Sequence, residues 1–212
     1  QLETFGSVST IAQTGLSLEL GPQDAERTLL LRADMDALPI HEEAPVPFAS
    51  ERPGMMHACG HDAHMAALVV AGERLASRHE GPHRLRLLFQ PAEEGLGGAQ
   101  ACIEAGALDG VDAAFGIHIW NELPVGTVAI PRGGVMAGVI EFEVTIVGRG
   151  GHGALPHRTA DPIVAGAQLV SSLQQIVSRR ASPFEPAVVS VGAFNAGDAF
   201  NVLPNTFEIG GT

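Results

Sequence analysis

The chain has 212 residues, 45% of them hydrophobic, and a formal charge of −12 from 24 acids against 12 bases, all of them arginine. That length and composition allow one large domain or two modest ones with a substantial core, and they exclude a disordered chain. An acidic balance without a basic stripe argues against a nucleic-acid partner, and no apolar run nears the roughly 20 residues of a membrane span.

In chain order, "RTLLLRADMDALP" (27–39) reads as a buried strand running into a polar turn. A proline-punctuated loop follows over 40–56. From His61 to about His79, apolar residues at helical spacing with Ala, Leu and Met enriched predict a helix. "HRLRLLFQP" (83–91) is a second strand stopped by Pro91, 97–108 a short helix, and "VDAAFGIHIW" (111–120) a third strand. Strand, helix, strand, helix, strand at these lengths implies a parallel α/β sheet.

After Asn121 the pattern changes. "VGTVAIPRG" and "AGVIEFEVTIVG" predict two strands, and "DPIVAGAQLVSSLQQIVSRR" an amphipathic helix with Pro162 in its first turn and Arg179–Arg180 at its end. Two more strands are expected in "EPAVVSVGAFN" and "NTFEIGGT". From residue 137 the order is therefore β-α-β-β, the first part of a ferredoxin-like split unit. The expected organisation is an α/β domain over 1–131 and a smaller α+β domain over 132–212, both incomplete.

The chemistry-bearing residues fall at strand ends. Asp34 and Asp36 end the first strand, Cys59 and His61 sit in the turn before the long helix, Glu93 and Glu94 follow the second strand, and His118 lies near the end of the third. In a parallel sheet these ends share one edge, where open α/β proteins place ligands. Cys59 and His61 are two apart across Gly60, so an extended backbone points both to one side, and glycine lets the chain bend close to an ion. Thiolate, imidazole and carboxylate together suit Zn, Mn, Co or Ni better than Mg or Ca. Adjacent glutamates allow one carboxylate to bind an ion while its neighbour moves a proton, the requirement of metal-assisted amide hydrolysis. The first-strand aspartates suit an orienting role. Cys59 and Cys102 form no CxxC pair and are expected to be free thiols in a reducing, cytoplasmic compartment.

"RADMDALPI", "MHACGHDAHMAAL", "LLFQPAEEGLGGAQ", "GIHIW", "GRGGHGALPHRTADPI" and "NVLPNT" together resemble the metal-dependent amidohydrolases of the aminoacylase and hippurate-hydrolase type. These are relatives of carboxypeptidase G and of the auxin-conjugate hydrolases. The resemblance implies a catalytic α/β domain with two divalent ions, interrupted by a lid domain through which homodimers form. It makes Cys59, His61, Glu94 and His118 metal ligands, Glu93 the general base and acid, and Asp36 an orienting carboxylate. His152 in "GGHG" and Asn201 in "NVLP" become substrate contacts, while His57 and Asp62 brace the turn and His64 lies on the helix face. It also implies a segment before residue 1, and a return to the catalytic domain after the lid with another metal-binding histidine.

The expected activity is hydrolysis of the amide bond of N-acyl or N-aroyl amino acids. A dipeptidase of the same family and a non-catalytic metal-binding or assembly module are the alternatives, separable by a substrate panel and by metal stoichiometry.

Overall fold

The computed structural model of the chain describes residues 2–4, 6–78, 81–95 and 97–212; His79, the expected end of the long helix, lies outside them. Contacts divide the chain into two compact units, Gln1–Val128 and Ala129–Thr212. Among the described residues no helix is long and apolar enough to cross a membrane.

The first unit runs β1 (Val8–Ile11), β2 (Gly15–Leu20), β3 (Thr28–Asp34), α1 (His61–Arg78), β4 (Arg84–Gln90), α2 (Gly98–Glu104) and β5 (Ala113–Gly116). They form one sheet in the order β1-β2-β4-β3-β5. The expected parallel β3-α1-β4-α2-β5 run is present, with Asp34 opposite Gln90 and Arg32 opposite Gly116. Residues 8–20 add an antiparallel hairpin on the β4 edge that the sequence pattern did not announce. Its turn uses Ala12 and Gln13 at positive φ, where the usual signal would be Gly or Asn.

Side chains alternate across β3 and β4. Leu29, Leu31 and Ala33 join Leu85, Leu87 and Phe89 beneath Leu68, Met65 and Val69 of α1. Leu30 and Leu88 instead pack with Cys102 of α2 and with Ala107. The two helices thus cover opposite faces, as right-handed crossovers require when the chain leaves β3 first for β4 and then returns past it to β5. The buried stripe of α1 is His61, His64, Leu68 and Gly72. Its two histidines occupy the N-terminal end of that stripe, where the strands run out.

The second unit contains β6 (Phe142–Val147), β7 (Gly151–His152), α3 (Pro162–Gln175), β8 (Val191–Asn195), β9 (Val202–Leu203) and β10 (Thr206–Gly211). β10 lies between β6 and β8, antiparallel to both, and β7 pairs with β9. The main elements follow the expected β-α-β-β order. Asp161 caps α3, its Oδ1 accepting from Ile163 N at 2.9 Å, with Pro162 in the first turn. Phe207 is fully buried, edge-on to Phe194 and packed on Gly166 of α3.

Two expectations are corrected. The strand predicted over 125–133 is not formed: Val125, Val128 and Ile130 are strongly exposed, and no strand edge pairs with them among the described residues. An apolar alternation becomes a strand only beside a partner. The third strand ends at Gly116, so His118 sits in the irregular segment beyond it rather than within it.

Candidate metal centre

Four segments at the carboxyl edge of the first sheet supply the site. The turn before α1 carries Cys59 and Gly60, and His61 is the first residue of the helix. Gly60 has φ +80°, a conformation costly for other residues, and a Cβ there would run into the Ile119 side chain. Gly60 is therefore required twice, by backbone and by space. Its carbonyl accepts from Ala63 N and His64 N, which starts the helix directly behind His61. His57 braces this turn through its carbonyl, which accepts from Gly60 N, and not through its ring, whose Nδ1 is buried without a hydrogen bond. Asp62, expected to brace as well, is exposed on the first turn of α1.

The glutamates sit in the turn after β4. Ala92 has φ +51°, a strained value for a residue with a Cβ and worth about 1 kcal/mol, which surrounding structure must over-determine. Gly98 N donates to Ala92 O at 3.0 Å, and Glu94 N donates to Asp36 Oδ2 at 3.0 Å. The carboxylate of Asp36, two residues past β3, thus holds the loop that presents Glu93 and Glu94. Burial alone would raise the Asp36 carboxyl, but the backbone N–H groups of Glu94 and Glu93 outweigh it and keep it below the usual carboxylate range.

These segments converge on His61. Ligand atoms of Cys59, His61 and His118 lie within 4.8 Å of one another, as do those of His61, Glu93 and Glu94. Cys59 Sγ is 3.4 Å from His118 Nε2. His61 Nε2 is 3.7 Å from Glu94 and from Asp34, and 3.9 Å from Glu93. Asp36 Oδ1 is 3.3 Å from His61 Nδ1, but the pair lacks hydrogen-bond geometry. His61 is 1% exposed, and neither ring nitrogen has a hydrogen-bond partner.

A buried imidazole with two orphaned nitrogens among carboxylates is costly as it stands. Two donors bound about 2.0–2.3 Å from one ion at a tetrahedral angle lie roughly 3.3–3.7 Å apart. The gaps from His61 to Glu94 and from Cys59 to His118 are of this size, so the residues fit a borderline divalent cation. The thiol fits in charge as well. Burial, a hydrogen bond to Glu94 and the charges of Glu94, Glu93 and Asp34 push Cys59 up to about 11. A cation would invert that electrostatic environment and favour the thiolate.

His64 was not expected to matter beyond its helix face. It is buried at 1% exposure, with Nδ1 2.6 Å from Asp34 Oδ1 and Nε2 accepting from Ile119 N at 2.9 Å. The signal that could have found it is its position three residues after His61 on the stripe that faces the sheet. Beside Cys59 and His118 a cavity of about 650 Å³ opens, lined by Val46, Phe48, Met56 and Trp120 among others.

His152 and Asn201 lie in the second unit, where the structure brings them together. β7 pairs with β9, and Gly153 N donates to Asn201 O at 2.8 Å. His152 Nδ1 accepts from Ala154 N at 3.1 Å, so the neutral ring carries its proton on Nε2. Both side chains are exposed.

The family model described as "Peptidase family M20/M25/M40" matches residues 30–210. The chain is 47% identical over 215 residues to an N-acyl-L-amino acid amidohydrolase of Geobacillus stearothermophilus, covering 100% of this chain and 58% of that protein. It is 43% identical to the hippurate hydrolase of Campylobacter jejuni, covering 99% and 55% respectively. A crystal structure of a Bacillus subtilis protein, described as a dinuclear metal-binding peptidase of the M20 family, superposes with a TM-score of 0.69 at 38% identity, over 99% of this chain and 54% of that one. The chain spans about half the length of the curated relatives it matches.

Proposed function

The chain belongs to peptidase family M20/M25/M40, and from that premise we propose that it supplies the metal-binding part of an enzyme that hydrolyses the amide bond of N-acyl or N-aroyl amino acids. The observation that carries the reading is His61, buried with both nitrogens unpartnered between the Cys59–His118 pair and the Glu93–Glu94 pair. The names of the amidohydrolase and hippurate-hydrolase relatives support the substrate class.

In this reading Cys59, His61, Glu94 and His118 hold two divalent ions of the Zn, Mn, Co or Ni type. When bound, such ions polarise an amide carbonyl and bring the pKa of a coordinated water toward roughly 7. Glu93 is the general base and acid: its carboxylate is 41% exposed beside the ligands, free to take a proton from water and return it to the leaving nitrogen. Asp36 is the orienting carboxylate: it holds the glutamate loop through Glu94 N, with its other oxygen 3.3 Å from His61 Nδ1. His152 donates from Nε2 to a polar oxygen of the substrate, with Asn201 beside it. Residues 1–131 act as the catalytic domain and 132–212 as a lid through which two copies pair. Cys59 and Cys102, both free, suit a reducing cytoplasmic setting.

The test is metal stoichiometry with a substrate panel on the full-length protein. N-acetyl and N-benzoyl amino acids should be cleaved by protein loaded with two ions per chain. Cleavage of dipeptides alone would favour the dipeptidase alternative, and no cleavage with at most one ion bound would favour the metal-binding module.

A further inference from the structure

A line of hydrogen bonds runs behind the candidate metal site through all three parallel strand ends. Gln90 Oε1, at the end of β4, accepts from Arg32 Nε at 2.9 Å, and Arg32 Nη1 donates to Asp34 Oδ2 at 2.7 Å. Asp34 Oδ1 then meets His64 Nδ1 at 2.6 Å, and His64 Nε2 receives the N–H of Ile119, just past β5. Ile119 is tied from its other side too, its carbonyl accepting from His118 Nδ1 at 2.6 Å. The partners set both tautomers. A backbone N–H can only donate, so His64 Nε2 bears the lone pair and Nδ1 the proton. His118 spends its Nδ1 proton on a carbonyl and turns the Nε2 lone pair toward Cys59.

Asp34, His61 and His64 also lie close enough together to suggest an ion site of their own. Both nitrogens of His64 are already committed, so that ring has no donor atom left for a cation.

We propose that His64 is a positioning residue, a buried strut of fixed tautomer that carries the anchorage of Asp34 to the Ile119 peptide and thereby sets the ring of His118 against Cys59. The inference rests on the reading of Cys59 and His118 as metal ligands. The ring of His64 lies edge-on to that of His118 with centroids 4.7 Å apart, so its packing and its hydrogen bonds act on the same segment. The Ile119 side chain fills the space above Gly60, which couples the His118 segment to the turn carrying Cys59.

The experiment is a cobalt(II) titration of the full-length protein, read by the thiolate-to-cobalt absorption that Cys59 would give, in wild type, His64→Leu and His64→Gln. Leucine removes donor and acceptor, whereas glutamine keeps one of each. The expected result is at least about tenfold weaker cobalt binding and an altered thiolate band for His64→Leu, the usual effect of losing a ligand's supporting group, with both largely restored in His64→Gln. Wild-type affinity in His64→Leu would overturn the proposal, and so would equal losses in the two variants, which would leave packing alone. If His64→Leu does not fold, the imidazole 15N shifts of His64 in the wild-type protein decide: the Nδ1–H tautomer supports the strut and the Nε2–H tautomer overturns it. A wild-type protein that binds cobalt without any thiolate band would instead overturn the metal reading of Cys59, and this inference with it.

Discussion

Cys59, His61, Glu93, Glu94 and His118 hang from three separate chain segments, whereas His152 lies on β7 and Asn201 immediately before β9, two short strands that pair directly with each other. The first group meets only because the order β4-β3-β5 brings distant strand ends to one edge. Its central member is buried and unpartnered, and burial together with the surrounding carboxylates pushes the Cys59 thiol up. The second group is exposed, and its histidine already accepts from a neighbouring backbone N–H. A buried imidazole with neither nitrogen satisfied, set among a thiol and carboxylates, wants an ion; a histidine with no such company wants a transient contact. The difference teaches where binding energy resides in this chain. The metal side depends on long-range packing, and the β7–β9 corner on local backbone bonds.

The largest effect that sharpens this contrast is expected at Glu93. In the metal-loaded, full-length protein, Glu93→Gln should keep its metal and lose turnover by about 10²–10⁴-fold, while Glu94→Gln should lose metal. Steady-state kinetics with metal analysis checks both, and a Glu93→Gln enzyme of ordinary activity would break the assignment. Next comes Gly60→Ala. A left-handed backbone and the Ile119 side chain both oppose a Cβ there, so urea unfolding should show a loss of about 2–4 kcal/mol. A neutral variant would mean the turn is loose and the long-range side of the contrast overstated.

The third effect is a pH dependence. Cys59 is raised from 9.0 to about 11 in the folded, metal-free protein, and a bound cation must displace its proton. Apparent zinc affinity should therefore rise by about tenfold per pH unit between pH 8 and 9, measured against a competing chelator. The linkage has the opposite sign for the metal-free fold. The folded state keeps a proton that the unfolded chain has released, so its stability falls as pH rises from 9 through 11. Affinity flat across that range would argue that the thiol is not a ligand. The smallest effect is expected at the second region: His152→Ala should lower kcat/KM by about tenfold, the scale of one hydrogen bond, with metal content unchanged. Metal loss in that variant would erase the distinction between the two regions.

Much of this was legible in the sequence because each functional stretch is contiguous and sits where an apolar run ends. "LLLRAD" and "LLFQPAEEG" announce both a strand and the polar group at its end, and the run order implies a shared edge. Less visible was anything that needs a partner. The 8–20 hairpin turns on Ala12 and Gln13 without a glycine signal, and the apolar alternation at 125–133 finds no strand to pair with. His64 was hidden for a related reason. Helical periodicity shows that a stripe exists, but only the sheet decides that 61, 64, 68 and 72 form its buried face. Its bond to Asp34 spans 30 residues and leaves no local trace.

X-ray absorption at the zinc edge tests the metal centre most directly. For the zinc-loaded, full-length protein the expected first shell contains sulfur at about 2.3 Å together with nitrogen and oxygen near 2.0–2.1 Å, and the sulfur contribution should vanish in Cys59→Ser. A wild-type shell made only of light atoms, or one unchanged by Cys59→Ser, would contradict the assignment of Cys59, His61, Glu94 and His118 as the metal-binding set.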